Sequence, residues 1–302
     1  MDPILTPFLA ATVRTATPLA FAALGEQVGE RAGVIFLGLE GAIIAGCLGA
    51  AIASGAGPLA GFAGGILAGV LVSALFAAFV IGLRADQIIT GTAITMFGLG
   101  LTGAVHRGLF ADAGASTGGT AATVGPVAIP GLSQLPILGP ALFAQPWPTY
   151  LLYGLVPALA WWMRGTHAGL ALRATGAHRD AAAAAGIRTR RVRTLAVLFA
   201  GAMGGLCGAT LVLAQVGTFT EGMSAGRGFI AIAIVVLGRW AVWGTAAAAL
   251  VFGGAFALQY LFQATGWDAP YQLFLGFPYL LTLTLLAVQR TRTGAPAELG
   301  RP

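Results

Sequence analysis

Two carboxylates draw notice because apolar residues surround them: Glu40 in FLGLEGAII and Glu221 in TFTEGMSAGRG. An ionisable group at membrane depth is costly, so each is a candidate for contacting a polar solute or an ion. Glu40 is flanked by Gly38 and Gly41, where a helix can open and turn freed backbone groups or the carboxylate toward a cavity. The same carboxylate can instead cap that break or pair with Arg31. For Glu221 the simpler reading is an outer-end turn built by Gly222, Gly226 and Gly228, with Arg227 as its ion partner. Gln87, Thr90, Thr95 and Gln215 add groups able to hydrogen-bond a polar solute, or to join helix to helix. Asp86 with Arg84, in LRADQ, reads as a helix cap beside a cytoplasmic anchor.

Other chemistry is excluded or misleading. All 16 basic residues are arginine, and without lysine there is no Walker A loop, Schiff-base lysine or Ser-Lys nucleophile pair. If ATP drives this protein, another chain binds it. Gly98, Gly100 and Gly103 spell G-x-G-x-x-G, but inside an apolar run rather than after a strand. Gly114, Ser116 and Gly118 spell G-x-S-x-G in a glycine- and serine-rich stretch that produces such matches by chance. His106, His167 and His178 form no metal-ligand pattern. Cys47 and Cys207 lie in apolar, glycine-rich runs and read as small packing residues.

The elements that must hold these residues are membrane spans. The chain is 57% hydrophobic and 9% charged, with mean hydropathy +0.86, whereas soluble domains carry about a quarter charged residues. Apolar runs near 4–24, 33–54, 59–82, 88–106, 149–163, 195–215, 229–238, 242–262 and 271–289 predict an all-α integral membrane protein. That is a polytopic helical bundle of about nine spans, eight to ten being the range, in a single domain over 1–302. The runs 149–163, with Pro157, and 229–238, between Gly228 and Gly238, are short enough to be tilted, broken or re-entrant. No basic n-region precedes the first run, so it is expected to be retained as a span.

With nine crossings and the 164–194 loop inside, thirteen arginines fall on the cytoplasmic side. Only Arg107 and Arg227 lie outside, while Arg14 falls within the first run. The positive-inside rule then puts the N-terminus outside and the C-terminus in the cytoplasm. The basic balance of +6 is therefore topological, and no nucleic-acid partner is implied. The outer loop 108–148 is rich in Gly, Ser, Thr and Pro and long enough to meet an external partner. The inner loop 164–194 contains an alanine run between Gly176 and Gly186 that predicts a short helix at the cytoplasmic surface. Small-xxx-small spacing at Gly61, Gly65 and Gly69, and at Gly201, Gly204, Gly205 and Gly208, predicts closely packed helices.

Five segments taken together, GEQVGERAGVIFLGLEGAIIAG, LRADQIITGTAI, IPGLSQLPILG, GAHRDAAAAAGIRTRRVR and GTFTEGMSAGRGFIAIAIVVLGRW, resemble the permease of nucleoside-type ABC importers. That group includes ribose and other simple-sugar permeases and, more distantly, branched-chain amino-acid permeases. The resemblance implies half of a translocation pathway for a small polar solute in a bacterial inner membrane. It also implies a cytoplasmic ABC ATPase that holds the ATP and Mg, a second permease subunit, paralogous or identical, and an extracytoplasmic solute-binding protein or lipoprotein. Gly176, Ala181, Ala182, Ala185, Gly186 and Ile187 then correspond to the coupling helix that docks on the ATPase. Relatives often carry Asn in place of Phe36 and of His178. Phe36, on the candidate pathway with Glu40, is expected to narrow the route or to stack on a planar solute. The alternative is an ion-gradient-driven secondary transporter with Glu40 as its ion site. An intramembrane enzyme rests on Ser116 alone.

Overall fold

In the computed structural model, residues 5–110, 121–264, 276, 280, 284 and 294–301 are described. The described residues are mainly helical, as the hydropathy requires. Among the described residues, six helices are long and apolar enough to cross a membrane: Leu5–Arg31, Leu39–Ala56, Pro58–Gly82, Gln87–Leu109, Thr189–Val216 and Val242–Gln259. In chain order the helices are α1 (Leu5–Arg31), α2 (Leu39–Ala53), α3 (Pro58–Ala77), α4 (Gln87–Phe110), α5 (Leu138–Phe143), α6 (Trp147–Gly165), α7 (His167–Ala177), α8 (Arg179–Ala184), α9 (Thr189–Leu211), α10 (Arg227–Leu237) and α11 (Val242–Ala264). The expected run 271–289 lies almost wholly outside the described residues, as does Ser116.

Glycine decides which helices meet. In a membrane, helices gain little from apolar burial against one another and associate through close backbone packing. A Cβ placed on Gly65 of α3 would lie 2.8 Å from the Cβ of Ala209 on α9 and 2.9 Å from the carbonyl of Gly46 on α2. One placed on Gly46 would lie 2.7 Å from the Cα of Gly205. The two predicted stripes therefore face each other, with α2 as the third member. Cys47 and Cys207 are buried free thiols within this cluster, as their apolar settings require. Around it, α1 packs on α9 and α11, and Phe21, Phe36, Phe76 and Phe252 are the largest fully buried side chains.

Several boundaries differ from the hydropathic ones. α1 does not end near residue 24 but runs to Arg31, because Glu26, Gln27 and Glu30 find internal partners and need not leave the helix. Pro157 does not break α6, which is continuous over 19 residues. α9 begins at Thr189 rather than at 195. The stretch 108–148 is not a plain outer loop. Residues 108–110 belong to α4, and beyond 120 two short antiparallel strands, β1 (Val127–Ala128) and β2 (Ala144–Gln145), pair around a segment that holds a helical turn and α5, followed by the start of α6. The amides of Ala121 and Val124 donate to the carbonyls of Gly217 and Leu213, tying this stretch to the residues that follow α9.

Candidate functional site

α10 is the short element expected at 229–238. Its 11 residues rise about 16 Å, half of the roughly 30 Å hydrocarbon thickness. The preceding residues 217–226 carry turns instead of a helix. At Gly226 the backbone turns left-handed, φ +77°, a conformation that a residue with a Cβ resists. A helix starting inside the protein leaves amides without partners, and Glu40 supplies the acceptors. From the first turn of α2, its Oε1 accepts the Gly226 amide at 2.8 Å and its Oε2 accepts the Gly228 amide at 2.6 Å. Glu40 is 4% exposed. Gly228 has no room for a side chain, since a Cβ there would stand 2.5 Å from the Glu40 amide nitrogen.

Two helix N-termini thus converge on one buried carboxylate, whose negative charge suits the positive ends of both. Of the sequence-based alternatives, the capping role is the one that the geometry shows, though the helix capped is α10 and not a break beside Glu40 itself. Arg31 is not its partner. Its Nε and Nη2 donate to the Trp240 carbonyl at 2.9 and 2.7 Å.

A second buried polar cluster was missed by the sequence analysis, which ended the first span before it. Glu26, Gln27 and Glu30 are all at most 1% exposed. Glu26 accepts the Phe36 amide at 2.8 Å, Gln27 Nε2 donates to the Trp240 carbonyl at 2.8 Å, and the Trp240 indole donates to Glu30. The cluster anchors the α10–α11 turn, where Arg239 and Trp240 both adopt positive φ. The available signal was the four-residue spacing of Glu26 and Glu30 against Gly25 and Gly29, the pattern of a helix with one polar and one small face. Gly25 packs directly on Ala200 and Met203 of α9.

The other candidate pathway residues are distributed unevenly. Phe36 is fully buried, its ring 4.8 Å from that of Phe76 in an edge-to-face contact, so it offers no face for a solute to stack on. Gln87 accepts the Ile35 amide at 2.9 Å and donates to the Arg301 carbonyl at 2.8 Å. Thr95 donates to the Leu37 carbonyl at 3.2 Å, and Gln215 donates to the Arg14 carbonyl at 2.7 Å. Thr90 is half-buried on α4. Asp86 caps α4 as expected, its Oδ1 accepting the amides of Ile88 and Ile89.

Glu221 pairs with Arg107 at 2.7 Å and not with Arg227, whose guanidinium donates to the carbonyls of Met223 and Ser224. The charge of Arg227 is spent at the start of its own helix, whereas Arg107 ends α4 opposite Glu221. Both partners of this ion pair are about half exposed or more. Glu221→Gln is accordingly expected to change stability by less than about 1 kcal/mol, checked by thermal unfolding in detergent.

The predicted coupling residues fall on two helices and a turn. Gly176 closes α7 and is buried against the backbone of Arg31 and Gly33. The backbone is extended at His178, φ −150°, which separates α7 from α8. On α8, Ala182 faces inward while Ala181 is exposed. Ala185 and Gly186 are exposed, Gly186 with φ +84°, and the Ile187 amide donates back to the Ala182 carbonyl at 3.0 Å. Ala181, Ala183, Ala184 and Ala185 therefore form a surface of small side chains at the arginine-rich end. The segment 294–301 braces this end from behind: the Glu298 amide donates to the Gly176 carbonyl at 3.0 Å, and Arg193 donates to the Arg301 carbonyl at 3.0 Å.

Comparison with known proteins agrees with this architecture. The family model described as branched-chain amino acid transport system / permease component matches residues 8–286. The guanosine ABC transporter permease protein NupQ of Bacillus subtilis is 33% identical over 314 residues, covering 99% of this chain and 97% of its own. The putative glucose ABC transporter permease protein TsgC13 of Haloferax volcanii is 32% identical, covering 94% and 92%. The nucleoside ABC transporter permease protein NupC of Lactococcus lactis is 31% identical, with the same coverages. No solved structure matches the chain. A glycine-packed helical membrane bundle with a half-length helix capped from within, matched over nearly its whole length, belongs to the branched-chain amino acid transport system permease family and is a multi-pass membrane permease.

Proposed function

We propose that the chain is one of two transmembrane subunits of an ATP-driven importer for a nucleoside or a simple sugar. The observation that carries this is the match of more than nine-tenths of the chain to permeases named for guanosine, nucleosides and glucose. ATP and Mg would sit on a separate cytoplasmic ATPase, the second subunit would be a paralogue or a copy of this chain, and an extracytoplasmic binding protein would deliver the solute. Nine crossings would be completed by α6, by α10 with the irregular stretch before it, and by the run 271–289. The N-terminus would then lie outside the bacterial plasma membrane and the C-terminus in the cytoplasm. Contact between 294–301 and Gly176 supports placing the C-terminus with the coupling segment.

The exposed surface around Ala181, Ala185 and Gly186 is the proposed ATPase contact, because small side chains admit a close-fitting groove and Ile187 beside them offers an apolar anchor. Glu40, Phe36, Gln87 and Thr95 are proposed to shape the pathway from behind, with Thr90, Gln215 and Glu221 nearer to solute. Ala185→Arg is the test. The site is open, so insertion and folding are expected to be unchanged, while co-purification of the ATPase falls at least tenfold and ATP-dependent uptake is lost. Wild-type uptake by this variant would exclude the segment from coupling.

A further inference from the structure

A polar cavity of about 240 Å³ opens at the arginine-rich end between the ends of α1 and α6, the side of α7 and the start of α11. Arg31, Arg164 and Arg173 line it from three elements, and no carboxylate lines it among the described residues. Arg164 and Arg173 are exposed, whereas Gln27 at its wall is fully buried. Gln27 Nε2 is committed to the Trp240 carbonyl, which fixes the amide, and its Oε1 is a buried acceptor with no partner among the described residues. Such an acceptor costs stability unless a donor reaches it. The walls thus present guanidinium donors for an anion, and one unpartnered acceptor able to take a hydroxyl lies buried in the side chain of Gln27, a residue of the lining. The volume is below the 300–1,000 Å³ typical of sites for whole small-molecule ligands, and suits a phosphate with a short polar substituent.

We propose that this cavity binds a phosphate bearing a hydroxylated substituent, supplied by the headgroup of an anionic phospholipid of the phosphatidylglycerol type. The phosphate would meet Arg164, Arg173 and the free edge of Arg31, and the glycerol hydroxyl would donate to Gln27 Oε1. A lipid source is favoured over a soluble one by the flanking aromatics. Trp161 and Trp243 are 69% and 57% exposed at the ends of apolar helices, the setting in which tryptophan marks the headgroup level of a bilayer. Basic pockets between spans on the cytoplasmic side are a known physical solution for anionic headgroups.

The leaflet rests on the orientation proposed above, but headgroup binding by the purified complex does not depend on it. The complex, with its co-purified partners, is placed in phosphatidylcholine nanodiscs and titrated with phosphatidylglycerol, bound lipid being counted by native mass spectrometry. With each guanidinium contributing about one charge's worth of headgroup attraction, Arg164→Gln with Arg173→Gln is expected to weaken retention about thirtyfold. Arg188→Gln with Arg191→Gln, which removes the same charge from an exposed site elsewhere, is expected to leave it unchanged. Equal retention by wild type and the first pair overturns the site, as does equal loss with both pairs. Glycerol 3-phosphate is added as the soluble probe. Its failure to compete at millimolar concentration supports the lipid source, and its binding in place of lipid overturns that source. Labelling of Arg164→Cys from either side of sealed vesicles reports the orientation separately.

Discussion

Gly205→Leu is expected to remove the folded permease from the membrane. Gly205 lies where α2, α3 and α9 touch. A Cβ on it would stand 2.9 Å from the Cα of Ile66 and 2.9 Å from the carbonyl carbon of Gly65, and one on Gly69 would stand 2.7 Å from the Gly205 amide nitrogen. Every atom in the way is backbone, so no side chain can rotate aside, and whole helices must separate. Overpacking a well-packed core costs about 1–3 kcal/mol, and more where the backbone must move. With two interfaces opened at once, a loss above about 3 kcal/mol is expected here, a large part of the stability of an ordinary domain. Gly100→Leu is the control, since nothing lies within 4 Å of a Cβ there. The measurement is the yield of monodisperse protein after detergent extraction. Near-zero yield for Gly205→Leu with normal yield for Gly100→Leu is predicted, and normal yield for both would contradict the packing.

Glu40→Ala carries the second large effect. It strips the part-buried Gly226 amide just before α10 and the buried Gly228 amide in its first turn of their charged acceptor. A hydrogen bond to a charged group is worth about 1.5–3 kcal/mol, and an unsatisfied buried donor costs about 1–3 kcal/mol, so a loss of about 3 kcal/mol or more is expected. Glu40→Gln keeps the shape and one acceptor oxygen but turns an NH2 toward the other amide, and its loss should be intermediate. The residual uptake of either variant should still require ATP and resist a protonophore. If Glu40→Gln were as stable as wild type and its uptake no longer followed a proton gradient that wild type follows, Glu40 would be an ion site and the secondary-transporter alternative would hold.

Hydropathy and glycine spacing made most of the bundle legible, because both report forces that act locally: an apolar run must be helical in lipid, and a small-xxx-small stripe can serve only close approach. The co-linear segments made the family legible as well. Polar residues were harder. Glu26 and Glu30 fell between the first two apolar runs because hydropathy averages over a window and cannot register that Phe36 and Trp240 return to satisfy them. The partner of Glu221 was chosen by nearness in sequence, whereas the actual pair with Arg107 spans 114 positions. For Glu40 the residue type and flanking glycines pointed to a helix end, but the helix it caps begins 187 positions later, at Arg227. Long-range partners of this kind follow from helix arrangement, which one sequence does not display. The alanine run was legible as a short helix, yet the extended backbone at His178 that divides the proposed coupling residues between α7 and α8 carries no strong local signal, since histidine is neither a helix breaker nor a favoured cap.

The claim that this permease works as part of an ATP-driven importer is tested most directly by gentle detergent extraction of the tagged chain from its native membranes, with mass spectrometry of what co-purifies. An ABC ATPase and a second permease, recovered in fixed proportion to the chain, are predicted. Recovery of the chain alone or only with copies of itself, under conditions in which a known ABC complex from the same membranes stays intact, would contradict it.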